Sequence, residues 1–385
     1  MNIKQIKAVE IGLVASPITK PREPSRNEMY RMGRPLDRYP DQSKLGFPRS
    51  WPRAACIVEA DDGTWGFGIT IHGGPIVRII NDLFAPLLEG QNCMATERHW
   101  DAMVRASAAF GATGLTSYAI SAVDVALWDL KGKLLGRPVY ELLGGPQKES
   151  IPCYATGFDS AWYMELGFKA TKIFTPYGPQ DGLNGLQRNV ELVAETRETV
   201  GNDVELMLDC WLSMDVEYTV RLAEMVRPYG LKWLEDYVRS DDSAGYAVVR
   251  ERVPWQTLAS GEHWYLPTKF AEAANDHVVD ILQPDVLWAG GITSAIRICH
   301  IAEAAGLSVI THAGMNYPFG QHLAYAMPAI EWGERSEGVS APGVPLEEMT
   351  LLPGTPAIQN GSVRPSNAPG FGLEITKEWL EERAV

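Results

Sequence analysis

The sequence predicts an α/β protein: a modified TIM barrel, (β/α)7β, with an N-terminal α+β capping domain completed by the C-terminal tail. Three observations carry the prediction. From residue 151 onward, short apolar runs alternate with helical segments, which is the rhythm of a parallel barrel. Several of those runs end on an ionisable residue. These residues recur at intervals of 26 (Asp209 to Glu235), 27 (Glu235 to Glu262) and 27 (Asp285 to His312). One βα unit occupies about that length, since a barrel of ~250 residues holds eight of them.

Taken in order, residues 3–15 alternate apolar and polar (Ile3, Ile6, Val9, Ile11, Leu13) and read as an opening strand. Residues 17–53 are rich in proline and arginine and read as a lid or a solvated loop, because so long an irregular stretch is uncommon inside a compact domain. Residues 54–71 form two strands around the turn Asp61-Asp62-Gly63. Residues 76–110 read as helices. In 117–145, Ile120, Val123, Leu127 and Leu130 recur every three or four residues, and Gly136-Arg137-Pro138 stops that helix. Barrel strands are expected near 151–156, 169–174, 204–209, 231–235, 257–260, 279–283, 307–311 and 327–331, with helices such as 187–200 and 292–305 between them. Past residue 340, proline- and glycine-rich sequence returns and is expected to fold back on the N-terminal domain. The expected divisions are 1–125 (capping domain), 126–340 (barrel) and 341–385 (tail).

The run 204-VELMLDCWLS-213 sets the chemistry. Val204, Leu206, Met207 and Leu208 suit a strand buried on both faces, and Asp209 ends it. A lone Asp there is most often a cap or turn residue. Glu235 ends the next run and Glu262 the one after, with His263 beside it. In a parallel barrel the C-terminal strand ends form the active-site rim. Three carboxylates delivered to one point repel unless a cation lies between them, and oxygen ligands suit Mg²⁺. His312 ends a further run, one barrel unit after Asp285, so a His–Asp pair is expected. Asp285 follows Pro284 and also has the makings of a turn residue.

Composition narrows the partners. The formal charge of −14 opposes nucleic-acid binding, which needs a basic stripe. Five scattered cysteines (Cys56, Cys93, Cys153, Cys210, Cys299) form no disulfide framework and suggest reduced thiols. The N-terminus lacks an apolar region of signal-peptide length, and no run approaches the ~20 apolar residues of a membrane span. A cytoplasmic protein with no membrane partner is expected.

These residues also resemble a known family. Asp209, Glu235 and Glu262 on successive strands, behind an α+β domain, resemble the enolase superfamily. The segment 121-SAVDVALWDLKGKLLGRPVYELLGG-145 is similar to its mandelate racemase branch. The stretches 207-MLDCWLS-213, 231-LKWLED-236, 260-SGEHW-264, 283-QPDVLWAGG-291 and 369-PGFGLE-374 resemble the L-rhamnonate dehydratase group of acid-sugar dehydratases. The resemblance implies that Asp209, Glu235 and Glu262 bind Mg²⁺ and that His312, held by Asp285, is the general base and acid. It implies that Glu331, in 329-AIEW-332, lies beside the substrate, and that Lys172 is catalytic, at the first position of a Lys-x-Lys pair whose second is here Phe174; the alternative for Lys172 is a salt-bridge partner. The absence of the second lysine favours one-base chemistry over racemisation. His263 is a substrate contact or a supporting group. Among the lid arginines (Arg31, Arg34, Arg38, Arg49, Arg53), Arg49 is taken as a substrate contact. The implied reaction is dehydration of a small sugar acid, L-rhamnonate or a relative such as L-lyxonate, to a 2-keto-3-deoxy acid. A homo-oligomer, often an octamer, is implied too. The alternatives are a racemase, epimerase or cycloisomerase of the same superfamily, and a non-catalytic binding protein on the same fold.

Overall fold

The computed structural model describes residues 1–13, 25–43, 51–336, 339–349 and 352–385. Its first layer is an antiparallel sheet in the order β1 (Ile3–Ile11), β2 (Arg53–Ala60), β3 (Trp65–Thr70). Ile3, Ile6 and Ala8 of β1 are buried in one cluster, a bulge near Ile3 shifting the alternation, and Ile11 is buried in the other. The β2–β3 hairpin turns where expected, with Gly63 N donating to Ala60 O at 3.0 Å.

Helix Leu115–Leu135 covers this sheet. It is apolar nearly all round, so it is buried rather than laid on a surface. Its two buried carboxylates act as staples. Asp124 accepts Thr293 N at 2.9 Å and Thr293 Oγ1 at 2.6 Å, capping helix Gly291–Ala305 of the barrel. Asp129 accepts Phe67 N at 2.9 Å from β3 and Phe371 N at 3.0 Å from the tail. The helix runs unbroken through 125–126, so the expected division between capping domain and barrel falls inside it.

Eight parallel strands follow in consecutive order: β4 (Ile151–Thr156), β5 (Ala170–Phe174), β6 (Glu205–Asp209), β7 (Leu234–Glu235), β8 (Leu258–Ser260), β9 (Ile281–Leu282), β10 (Ser308–Val309) and β11 (Gly333–Arg335). β11 pairs with β4, and a parallel bridge from Val309 to Ile330 joins the remaining edges. Because side chains alternate along a strand, the interior is layered. Tyr154, Ala170, Met207, Trp233, Ala259, Ile281 and Ile310 fill the lower layer. Two residues further along the strands come Thr156, Lys172, Asp209, Glu235, Gln283, His312 and Glu334.

The eighth strand lies later than expected. Helix Pro318–Ala326 ends at Met327, and the following residues are spent turning back to the barrel. Glu331 therefore precedes the strand and is exposed, whereas Trp332 packs against the interior cluster and Glu334 is buried. The expectation that Glu331 flanks the substrate is corrected: it has the wrong parity and the wrong height, and β11 delivers Glu334 instead.

The tail contacts both sheets. β12 (Ser362–Val363) pairs antiparallel with the start of β4, and Val385 N donates to Glu10 O at 3.1 Å. Among the described residues, no helix is long and apolar enough to cross a membrane.

Candidate active site

Asp209, Glu235 and Glu262 converge, with one carboxylate oxygen of each within 4.8 Å of the others. Asp209 and Glu235 end β6 and β7 and face inward by strand parity. Glu262 lies beyond β8, and parity alone would turn it outward. Gly261 breaks the alternation at φ +140°, a conformation L side chains rarely adopt, and Glu262 swings into the mouth.

All three carboxylates are nearly solvent-free, so their environment decides their charge. Burial first, then the charge of Glu235, holds Asp209 well above the ordinary carboxylate range. Burial also raises Glu235, against the pull of Lys172. Glu262 is held low despite burial, because His312 and His263 face it. The donor atoms are well provisioned: Trp211 N donates to Asp209 at 2.8 Å, Trp233 Nε1 and Gln283 Nε2 each donate to Glu235 at 2.7 Å, and Trp211 Nε1 donates to Glu262 at 3.2 Å. A set of three buried carboxylates, oriented by neighbours and mutually repelling, fits a hard divalent cation.

Lys172 lies beside this set and is 1 % exposed. Its ammonium contacts Glu235, lies 2.8 Å from Glu334 and 3.5 Å from Asp209. Burying a lone ammonium costs several kcal/mol, so these three carboxylates are what keep it charged. Glu334 also accepts Thr156 Oγ1 at 2.6 Å and Ala313 N at 2.8 Å, so it braces the backbone next to His312.

The imidazole of His312 bridges two carboxylates. Its Nδ1 lies 2.8 Å from Asp285 Oδ2 and its Nε2 lies 3.3 Å from Glu262 Oε2. Asp285 also accepts Leu287 N at 2.6 Å, so it is turn residue and histidine partner at once. Burial opposes a charge on His312, but Glu262, Asp285 and Glu334 outweigh it and raise its pKa to about 10. His263 behaves alike: Glu262 lies 3.1 Å and Asp236 3.5 Å from its Nδ1, and together they raise it to about 11 against burial. Asp236, Glu262 and His263 form a second convergent group that shares Glu262 with the first.

The walls are aromatic. The Trp288 ring lies 4.8 Å from His312 and 5.6 Å from His263, and Tyr118 of the capping domain stacks behind it at 5.7 Å. Sequence reading missed Glu334, Trp288, Trp211 and Gln283. The alternation Trp332-x-Glu334 was the available signal for Glu334; the others needed the fold. Arg49 lies outside the described residues. Arg31 pairs with Asp37 within residues 25–43, at 2.9 Å.

This fold and this rim define a class: a barrel whose C-terminal strand ends gather carboxylates placed to bind a metal, with an imidazole beside them. Residues 52–144 match the family described as the mandelate racemase/muconate lactonizing enzyme N-terminal domain, and residues 159–379 match the enolase C-terminal domain-like family. The chain belongs to the enolase superfamily, in its mandelate racemase branch. An L-rhamnonate dehydratase of Saccharopolyspora erythraea is 39 % identical over 333 residues, covering 83 % of this chain and 82 % of that one. The structure of a rhamnonate dehydratase from Gibberella zeae complexed with Mg superposes with a TM-score of 0.88 at 28 % identity, covering 100 % and 96 % of the two chains. A 3,6-anhydro-D-galactonate cycloisomerase from Zobellia galactanivorans gives 0.79 at 26 % identity, covering 100 % of both.

Proposed function

We propose that the protein is a Mg²⁺-dependent acid-sugar dehydratase, a hydro-lyase acting on L-rhamnonate or a related aldonate such as L-lyxonate. The observation that carries this reading is the placement of His312, with Nδ1 on Asp285 and Nε2 facing the carboxylate cluster. Asp209, Glu235 and Glu262 would hold the ion. When bound, it would supply a Lewis acid for the substrate carboxylate, offsetting the charge that builds as the neighbouring proton leaves.

The chain's own residues do the rest. With a divalent cation held by Glu262, the carboxylate charge that raises His312 would be offset and its imidazole left neutral; His312 then takes the proton from C2, and Asp285 fixes its tautomer. The C3–O bond then breaks, and the same imidazolium returns its proton to the departing hydroxyl, so water leaves on the face from which the proton came. The enol product tautomerises to a 2-keto-3-deoxy acid. Lys172 balances charge between Glu235 and Glu334 and is too enclosed to act as a second base. Phe174, the next inward position of β5, offers no proton acceptor. A racemase needs a base on each face, so these two residues favour elimination. The closely similar curated dehydratase supports the same choice.

The test is a library of aldonates incubated with the enzyme and Mg²⁺, read by semicarbazide for 2-keto-3-deoxy products, with a parallel run in D₂O. Exchange or epimerisation at C2 without keto product would replace dehydration with the racemase reading.

A further inference from the structure

The described part of the lid, residues 25–43, is tied to the barrel in two places. At the first, Asp159 in the loop after β4 accepts from three successive lid residues: Ser25 Oγ, Arg26 N and Asn27 Nδ2, each at 2.6 Å. Asn27 answers with its Oδ1, which accepts Phe158 N at 2.7 Å. The Asp159 side chain is 4 % exposed. At the second, Gly33 N donates to Thr175 O at 2.8 Å, just past β5. A Cβ on Gly33 would stand 2.7 Å from that same oxygen, so a side chain there would lift the lid from its seat. Thr175 N in turn donates to the backbone oxygen of Asp209 at 2.9 Å. Between the two ties, Tyr30 packs on Phe158 (5.4 Å) and Phe158 on Phe174 (5.9 Å).

The joint is not close-packed. A cavity of about 220 Å³ lies beside it, lined by Arg26, Phe158, Asp159 and Trp162 among others. Hydrogen bonds to one buried carboxylate therefore hold Ser25–Asn27, with the Arg26–Glu195 ion pair at 3.3 Å outside them. A carboxylate suits this work, because it is acceptor only and can take several donors at once.

We propose that Asp159 is a positioning residue for the reaction: it clasps Ser25–Asn27 and so keeps residues 25–43 seated over the β4–β5 side of the mouth while substrate is bound. The inference rests on the reading that this mouth is the reaction site. Asp159 touches no reacting group in this scheme and acts through the lid. Losing the clasp weakens substrate retention and leaves the His312–Asp285 pair in place.

The experiment compares wild type, Asp159→Ala, Asp159→Asn and the lid-side double variant Ser25→Ala/Asn27→Ala. One readout is tryptic cleavage after Arg26, which is half-buried and held by the clasp through its backbone N–H. The other is KM and kcat on the aldonate that the wild type turns over. Cleavage is expected to quicken about tenfold or more, because proteolysis tracks the open population. KM is expected to rise about tenfold with kcat within about threefold. Asp159→Asn falls between, since an amide keeps one acceptor oxygen. Cleavage and KM both within about twofold of wild type would overturn the proposal. So would faster cleavage with KM unchanged, or a fall in kcat alone. If Asp159→Ala does not fold, the lid-side variant decides by the same criteria. If wild type turns over no aldonate, the functional reading fails separately, and the cleavage rates still uphold or overturn the clasp.

Discussion

His312 Nδ1 lies 2.8 Å from Asp285 Oδ2, across the 27 residues that separate adjacent barrel strand ends. The pair aims Nε2 at Glu262, 3.3 Å away and two strands along the sheet. In the proposed scheme His312 is the general base, a role that contributes about 10²–10⁴-fold. We expect His312→Gln to lower kcat by at least about 10². Asp285→Asn, which keeps the shape and loses the charge, should cost about 10–100-fold. Steady-state kinetics on the identified aldonate reads both, and a His312→Gln enzyme within tenfold of wild type removes the assigned role.

Glu331 and Glu334 differ by three positions and by almost everything else. Glu334 is 1 % exposed and holds Lys172, Thr156 and Ala313 N, while Glu331 is exposed. Glu334→Ala strands a buried ammonium and a buried N–H, and should destabilise by about 3–5 kcal/mol. Glu331→Ala should stay within about 0.5 kcal/mol. Urea unfolding of the two variants, side by side, checks the correction of the eighth strand.

Three buried carboxylates that repel one another should welcome a cation. Protein stripped with chelator is expected to bind Mg²⁺ by calorimetry, and Asp209→Asn or Glu262→Gln to lose most of that heat. At a hundredfold excess over Kd, the ion should add about 2.7 kcal/mol to stability. Wild type showing no heat of binding would return the fold to the non-catalytic alternative.

His322 supplies a pH test away from the site. It is fully buried, accepts Tyr140 N at 3.2 Å and packs against Phe371. Burial lowers its pKa to about 3. An unfolded histidine takes its proton near 6.5, so the folded chain binds fewer protons between the two values. Its contribution to stability is complete above about pH 6.5 and is lost as pH falls toward 3, by about 1.4 kcal/mol per unit. His322→Asn cannot titrate, and its stability should fall less steeply across that window. Parallel slopes in denaturation from pH 6.5 to 4.5 would refute the assignment.

The sequence by itself determined a good deal. Apolar runs ending in Asp209, Glu235, Glu262 and His312 state a parallel barrel and its working rim, because strand parity and βα spacing are local and regular. The stop at Gly136 and the turn at Asp61–Gly63 are equally local. Tertiary structure alone decided the rest. Glu262 faces the mouth only because Gly261 abandons strand geometry. Glu334 replaced Glu331 because the length of the final turn is set by how helix Pro318–Ala326 packs, which no short window of sequence encodes. Asp159 and Ser25 meet across 134 residues, and Asp124 and Thr293 across 169. Such contacts depend on the whole chain's path, so periodicity announces the elements while their mutual docking selects which polar side chains share a charge.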